Sequence, residues 1–356
     1  MAKTISSRQW SSALDGISNL KLTTANIPFP IAGEVLVKIN SVSLNYKDGE
    51  TIEGLFNHHK AVSLPQSIIP CADAAGEILE TGEDVTKWKK GDRVLSVSYP
   101  EYLTGKITQE MLGAGIGSSG KGVLCEYRIF KEDALVPTPA FLSDDEACTL
   151  QIAGTTAWMA MNGTRPLGSP GGKGEVILVQ GTGGVSINGL LIAKASGAEV
   201  IITSGSDEKL ARAKALGADH LINYRTTPDW DVEVLRATNG KGADIVFENG
   251  GAQTTAKSFN CVRFGGLINA IGYVSGKVDP ADERMNINLQ LIRRNATMVG
   301  MLNGPRDRFE EMLAFYERHQ IRPVIDRVFS FEEAKQALQY LWSGSHFGKI
   351  VVRASS

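Results

Sequence analysis

Gly181-Thr182-Gly183-Gly184 follows the apolar run Val176-Ile177-Leu178-Val179 and precedes Ile187, Leu190, Leu191 and Ala195 at helical spacing. A strand that turns through glycines into a helix brings bare backbone and helix-terminal N–H groups against a pyrophosphate, so these residues suit dinucleotide binding. The third glycine of the G-x-G-x-x-G pattern is Ser186 here, and the turn by itself is a weak signal. The next strand, Val200-Ile201-Ile202, runs into Thr203-Ser204-Gly205-Ser206-Asp207-Glu208-Lys209. An NAD site places Asp or Glu at such a tip, about 20 residues past the first glycine, to accept hydrogen bonds from the ribose hydroxyls. Ser204, Ser206 and Lys209 suit a 2′-phosphate instead, so NADP(H) is the expected cofactor, with Tyr224 at the next strand tip as a further contact. Ser206 equally suits a helix N-cap, with Asp207 and Glu208 in its first turn.

Apolar strands and amphipathic helices keep alternating around these residues. The helix Asp207 to Leu216 ends at Gly217; strands are expected at His220 to Tyr224, Ala243 to Phe247, Gly266 to Ile271 and Ala296 to Met301, with a helix around Thr254 to Val262. Such alternation specifies an α/β fold, a Rossmann-type doubly wound parallel sheet. Its ligand lies at the carboxyl ends of the strands, which carry Gly181 to Gly184, Thr203-Ser204, Asn249-Gly250-Gly251, Gly272-Tyr273 and Met301-Leu302.

Residues 1 to about 150 read as a compact, mostly antiparallel β domain, with short strands at Glu34 to Ile39, Ala75 to Glu80 and Asp92 to Val97. The stretch Gly115-Ile116-Gly117-Ser118-Ser119-Gly120-Lys121-Gly122 nearly spells a phosphate-binding P-loop. Gly122 stands where Ser or Thr is needed and no apolar strand precedes it, so it reads as a mobile loop. A net charge of −2 gives no footprint for nucleic acid or an anionic membrane, which leaves a small-molecule substrate. The four cysteines, Cys71, Cys125, Cys148 and Cys261, are far apart and indicate neither a disulfide framework nor a zinc knuckle. No apolar run reaches a membrane span, and Met1-Ala2-Lys3-Thr4 opens no signal-peptide core, so a cytoplasmic protein is expected.

In order, the pieces resemble the medium-chain dehydrogenase/reductase superfamily across essentially the whole chain. The landmarks are Ser43-Leu44-Asn45-Tyr46-Lys47-Asp48, Ala72-Asp73-Ala74-Ala75-Gly76-Glu77, Trp88 to Val94, Ala153-Gly154-Thr155-Thr156-Ala157-Trp158, Gly181-Thr182-Gly183-Gly184-Val185-Ser186 and His346-Phe347-Gly348-Lys349. The resemblance implies a GroES-like substrate domain, residues 1–152 and 303–356, with the Rossmann domain, 153–302, inserted and the active site in the cleft. It adds Thr156, Val185, Ile271, Phe347 and Lys349 to the implied cofactor contacts. In the zinc alcohol dehydrogenases of this superfamily a Cys, a His and a second Cys or acid hold the catalytic metal. The corresponding positions here are Asn45, Ala72 and about Ile152, so no metal is expected and the chain resembles the zinc-independent branch. A homodimer is expected, because strand Ala296 to Met301 would leave an apolar edge open and family members commonly pair there.

Without a metal, oxidising an alcohol needs another way to generate alkoxide character, since lowering such a pKa is the metal's main contribution. Hydride addition to the β carbon of an α,β-unsaturated carbonyl makes a delocalised enolate, which hydrogen-bond donors can stabilise. Tyr46 is then the candidate proton donor, Asn45 orients the carbonyl, and Asp48 or a water relays protons. The leading expectation is NADPH-dependent reduction of an enone, enoyl thioester or quinone. A zinc-independent alcohol or ketone oxidoreductase is the alternative, and a non-catalytic NADPH-binding protein the third.

Overall fold

The structure is a computed structural model that describes residues 3–56, 65–278 and 284–354; Met1 and Ala2, part of the N-terminal reading, lie outside these. The chain divides into two compact units, Met1–Ala153 with Pro305–Ser356, and Gly154–Gly304.

The second unit is built on a six-stranded parallel sheet. Its order is His220–Asn223, Glu199–Ser204, Val176–Gln180, Ala243–Glu248, Val262–Ala270 and Thr297–Gly300. The chain starts at the centre, runs outward through two strands, and returns to build the other half, which places the topological switch between Val176–Gln180 and Ala243–Glu248. The central strands are continuous apolar runs because helices cover both faces. Leu178, Ile201, Val246 and Ile268 pack with Trp230, Val234 and Phe259 in its core. The expected α/β doubly wound fold is the observed one.

The first unit carries a seven-stranded sheet in the order Ile325–Phe329, Lys349–Arg353, Glu34–Leu44, Asp73–Thr81, Arg93–Ser96 and Leu135–Pro137, with Tyr127–Lys131 also paired to Glu34–Leu44. All pairings are antiparallel except that of Ile325–Phe329 with Lys349–Arg353. Glu34–Leu44 runs five residues past the expected end at Ile39. The polar residues that hid this extension are satisfied by distant partners: Asn40 donates to Asp144 Oδ2 at 2.8 Å and Ser41 to Asp145 Oδ1 at 2.5 Å, beside a register shift between Ile39 and Ser41. Register then sets three strand ends side by side. Ile350 pairs Leu44 and Ser43 pairs Asp73, so Lys349, Asn45 and Asp73 gather at one end of the sheet.

The glycine-rich stretch 115–122 is corrected from mobile loop to packed strap. Gly115 through Ser118 and Gly122 are buried, and Gly122 N and Val123 N donate to Ile69 O and Cys71 O at 2.7 and 2.9 Å. A Cβ at Gly122 would stand 2.2 Å from Ile69 O, so only glycine permits this approach. The strap holds Cys71, a non-glycine residue at φ 68°, directly ahead of Ala72 and Asp73.

Candidate active site and cofactor site

Asn45 occupies the N-cap of the helix Tyr46–Ile52, and its backbone N–H donates to Asp48 Oδ2 at 2.8 Å in a capping box. Its side chain is held from both sides. Lys349 Nζ donates to Asn45 Oδ1 at 2.7 Å and to Leu44 O at 2.6 Å, while Asn45 Nδ2 donates to Asp73 Oδ2 at 2.9 Å. Ile152 N also donates to Asp73 Oδ2, at 3.3 Å. Asp48 and Asp73 are fully buried, Lys349 is 3 % exposed and Asn45 9 %. Burial pushes the Asp48 carboxyl up to about 6, with the Lys47 ammonium pulling it back down and Asp73 raising it further. Burial likewise raises Asp73, against the pull of Lys349, and lowers Lys349, against the two carboxylates. Asp48 Oδ1 and Asp73 Oδ1 are buried without a partner among the described residues.

Tyr46 stands at the first helical position, 43 % exposed, with its ring stacked on Trp342. Partial burial and the Glu50 carboxylate raise its phenol above the usual tyrosine range, so the hydroxyl keeps its proton through neutral pH. The structure thus brings Asn45, Tyr46 and Asp48 onto one helix start, and adds Asp73, Lys349 and Trp342, which sequence reasoning did not connect with them. The Lys349 ammonium, expected at the cofactor, gives two of its three donors to Asn45 and Leu44, and Phe347 is buried.

These residues do not fit a tetrahedral zinc. The side chains of Ala72 and Ile152 carry no ligating atom, and the Asn45 carboxamide is engaged at both ends. Among the described residues no group of three His, Cys, Asp or Glu is arranged to hold a metal ion.

In the second unit, Gly181 adopts φ 76° at the end of Val176–Gln180, and Gly183 precedes the helix Gly184–Ala195 with no side chain capping its first turn. A Cβ on Gly183 would meet nothing within 4 Å, so the N-terminal amides, Val185 among them, stand beside open space. Thr182 is buried beside them, and Thr156 is buried in the helix Thr155–Asn162. Ser186 does not leave a gap where the third glycine would be. Its Oγ donates to Gln180 O at 2.8 Å and accepts from Asn249 Nδ2 at 3.1 Å.

A hub missed by sequence reasoning anchors the loop after Ala243–Glu248. The buried Glu248 accepts from Gly250 N at 3.0 Å, Gly251 N at 2.9 Å and Gln180 Nε2 at 2.8 Å, and from the hydroxyls of Thr254 and Ser258. Gln180 Oε1 accepts from Asn249 N and Gly250 N. An acid closing the apolar strand Ala243–Glu248 just before Asn249-Gly250-Gly251 was the available signal. Ile271 N and Gly272 N both donate to Glu248 O, Tyr273 follows, and Met301 N donates to Ala270 O with Leu302 next, so these expected contacts sit at neighbouring strand ends.

At the tip of Glu199–Ser204, Ser206 caps the helix Asp207–Ala215 by accepting from Lys209 N at 3.3 Å, and Asp207 turns to Asn223. Ser204 is buried and accepts from Ser206 N at 3.3 Å. A Cβ added to Gly205 would meet Arg225 Nε at 2.8 Å and Tyr224 Oη at 2.9 Å, so a guanidinium and a phenol overhang a bare backbone between two serines. Arg225 was not singled out from sequence, although a basic residue just past a strand tip is a readable signal.

Known proteins share this fold. The family described as alcohol dehydrogenase GroES-like domain matches residues 31–140, and that described as zinc-binding dehydrogenase matches 184–318. The chain is 38 % identical over 341 residues to a zinc-type alcohol dehydrogenase-like protein of Schizosaccharomyces pombe, covering 96 % of each. It is 28 % identical to a chloroplastic quinone oxidoreductase of Triphysaria versicolor, over 95 % of this chain and 94 % of that one. A crystal structure from Sinorhizobium meliloti 1021, provisionally described as an alcohol dehydrogenase, superposes with a TM-score of 0.86 at 35 % identity, covering 99 % of this chain and 100 % of that one. With a glycine-turn cofactor sheet in one unit and a GroES-like sheet in the other, the chain belongs to the medium-chain dehydrogenase/reductase superfamily and is an oxidoreductase that uses a nicotinamide cofactor.

Proposed function

We propose that the protein is an NADPH-dependent reductase of small conjugated carbonyl compounds, enones, enoyl thioesters or quinones, and works without zinc. The observation that carries this reading is the Asn45 carboxamide held between Asp73 and the Lys349 ammonium. A buried ammonium 2.7 Å from the side chain that would have to ligate zinc opposes a second cation there, and Asn45 offers hydrogen-bond donation in the metal's place.

When bound, a nicotinamide cofactor would supply the hydride for the β carbon of the substrate. Asn45 donates a hydrogen bond to the substrate oxygen, where enolate charge develops. Tyr46, whose raised pKa keeps it protonated, gives the proton that ends on the α carbon and is reprotonated from solvent. Asp48 fixes the helix start that carries both groups. Ser204, Ser206, Lys209, Tyr224 and Arg225 would hold the 2′-phosphate, and the Gly183-Gly184 turn the pyrophosphate. Two copies of the chain associate through the edge Thr297–Gly300 and the apolar residues of the helix Ile287–Arg294.

A second reading, oxidation and reduction at an alcohol or ketone, is favoured by the names of the Schizosaccharomyces and Sinorhizobium proteins. One panel separates the two: NADPH consumption with 2-cyclohexenone, 1,4-benzoquinone, crotonyl thioester, aldehydes and ketones, beside NADP⁺ reduction with alcohols. Activity confined to saturated alcohols, aldehydes and ketones would replace the first reading with the second.

A further inference from the structure

Lys349, Asn45 and Asp73 come from three adjacent strand ends, and their chemistry leaves the carboxamide only one orientation. An ammonium has donors and no acceptor; an ionised carboxylate has acceptors and no donor. With Lys349 Nζ at 2.7 Å on one side and Asp73 Oδ2 at 2.9 Å on the other, Asn45 must turn Oδ1 to the lysine and Nδ2 to the aspartate. The flipped amide would set donor against donor and acceptor against acceptor, losing two charge-assisted bonds at once. The Lys349 ammonium is fixed in turn by Leu44 O, and Asp73 by Ile152 N.

The accounting then decides what Asn45 offers. Its backbone N–H is spent on Asp48, its carbonyl oxygen accepts from Lys349, and one Nδ2 hydrogen is spent on Asp73. Of its donors only the second Nδ2 hydrogen remains, while the second lone pair of Oδ1 stands in the capping box with Asp48 and beside the Lys349 ammonium. Asn45 is also the most exposed of the four residues Asn45, Asp48, Asp73 and Lys349. We propose that Lys349 and Asp73 are positioning residues that polarise Asn45, so that it presents an N–H donor, and never its carbonyl, to the substrate oxygen. The inference deepens the reading above and rests on it for the identity of that oxygen. It also assigns a task to a lysine and an aspartate that would otherwise be only two buried, opposite charges bridged by an amide.

The test has an arm that needs no activity. In protein labelled with ¹⁵N-asparagine, the Asn45 side-chain resonance, identified by its loss in Asn45→Asp, should show two well-separated protons, one shifted downfield and slow to exchange. Asp73→Asn should collapse that separation. A wild-type Asn45 amide with free-amide shifts and exchange would overturn the proposal. In the kinetic arm, with NADPH and 1,4-benzoquinone, Lys349→Met should lower kcat about 10-fold or more with KM and the Kd for NADPH nearly unchanged. Lys349→Arg, which restores a donor to Oδ1, should recover most of it. Loss of activity in Lys349→Met that Lys349→Arg leaves unrepaired, in folded protein, would reduce the pair to a structural role. Wild-type protein inert toward every conjugated carbonyl would sink the functional reading, while the resonance of Asn45 would still decide its orientation.

Discussion

Trp342 lies flat against Tyr46, with ring centroids 5.4 Å apart and planes 13° from parallel, and reaches over Gly49 one turn along the same helix. A Cβ at Gly49 would stand 2.7 Å from Trp342 Cε3, so the stack depends on glycine at that position. Gly49→Ala adds about 1 kcal/mol of helix propensity while displacing the indole. The expected outcome is near-neutral thermal stability, a change in Trp342 fluorescence and a fall in kcat. Unchanged fluorescence and kcat would separate the stack from the chemistry.

Removing the Tyr46 proton while keeping its ring tests that chemistry directly. Tyr46→Phe should lower kcat by about 10² to 10⁴-fold, the usual worth of general acid catalysis, with the Kd for NADPH little changed. Reduction of an enone in D₂O should place deuterium at the α carbon and none at β, read by NMR of the product. Full activity in Tyr46→Phe would pass the proton to another group.

Cofactor preference should follow the cations at the serine tip. Charge-assisted hydrogen bonds contribute about 1.5–3 kcal/mol, so Lys209→Ala and Arg225→Ala should each weaken NADPH by roughly 10- to 100-fold and leave NADH nearly untouched. Calorimetry that finds the wild type binding NADH more tightly would reverse the assignment.

Asp48 ties stability to pH. Its carboxyl is raised from 3.8 to about 6 in the folded protein, chiefly by burial, while Lys47 and Lys349 pull it down and Asp73 pushes it up. The folded state therefore holds this proton more firmly than the unfolded chain, and the side chain's contribution becomes less favourable as pH rises from about 4 to 6, then levels off. Asp48→Asn keeps an acceptor for Asn45 N and cannot ionise. Its stability relative to wild type should improve between pH 4 and 7, by on the order of 3 kcal/mol at most. Parallel unfolding curves of the two proteins across that range would show that Asp48 is not the group that titrates.

The helix Ile287–Arg294 turns Leu289 and Ile292 to solvent, the latter 79 % exposed, beside the sheet edge Thr297–Gly300. That combination predicts a dimer by light scattering at micromolar concentration, and Ile292→Asp should shift it to monomer. A monomeric wild type would leave the edge unexplained.

The doubly wound sheet was legible because its signals are local. Strands such as Val176–Gln180 and Glu199–Ser204 are apolar runs broken by glycine or serine turns, and the helices between them carry their own caps and spacing. Asn45, Tyr46 and Asp48 could be singled out because they stand together in the motif Ser43 to Asp48, although the helix start that holds all three was not read. Their setting could not. Asn45 meets Asp73 from 28 residues away and Lys349 from 304 away, through strands whose register no local pattern encodes. In the sequence Lys349 enters only as an implied cofactor contact, and it is the pairing of Ile350 with Leu44 that sends its ammonium to the amide of Asn45. The strap at 115–122 follows the same rule: glycines predict freedom, and contact with the carbonyls of Ile69 and Cys71 removes it. Periodicity specifies which face of an element is buried. Which charged groups meet at the end of the sheet was decided by long-range strand register, and that is a property of the folded chain alone.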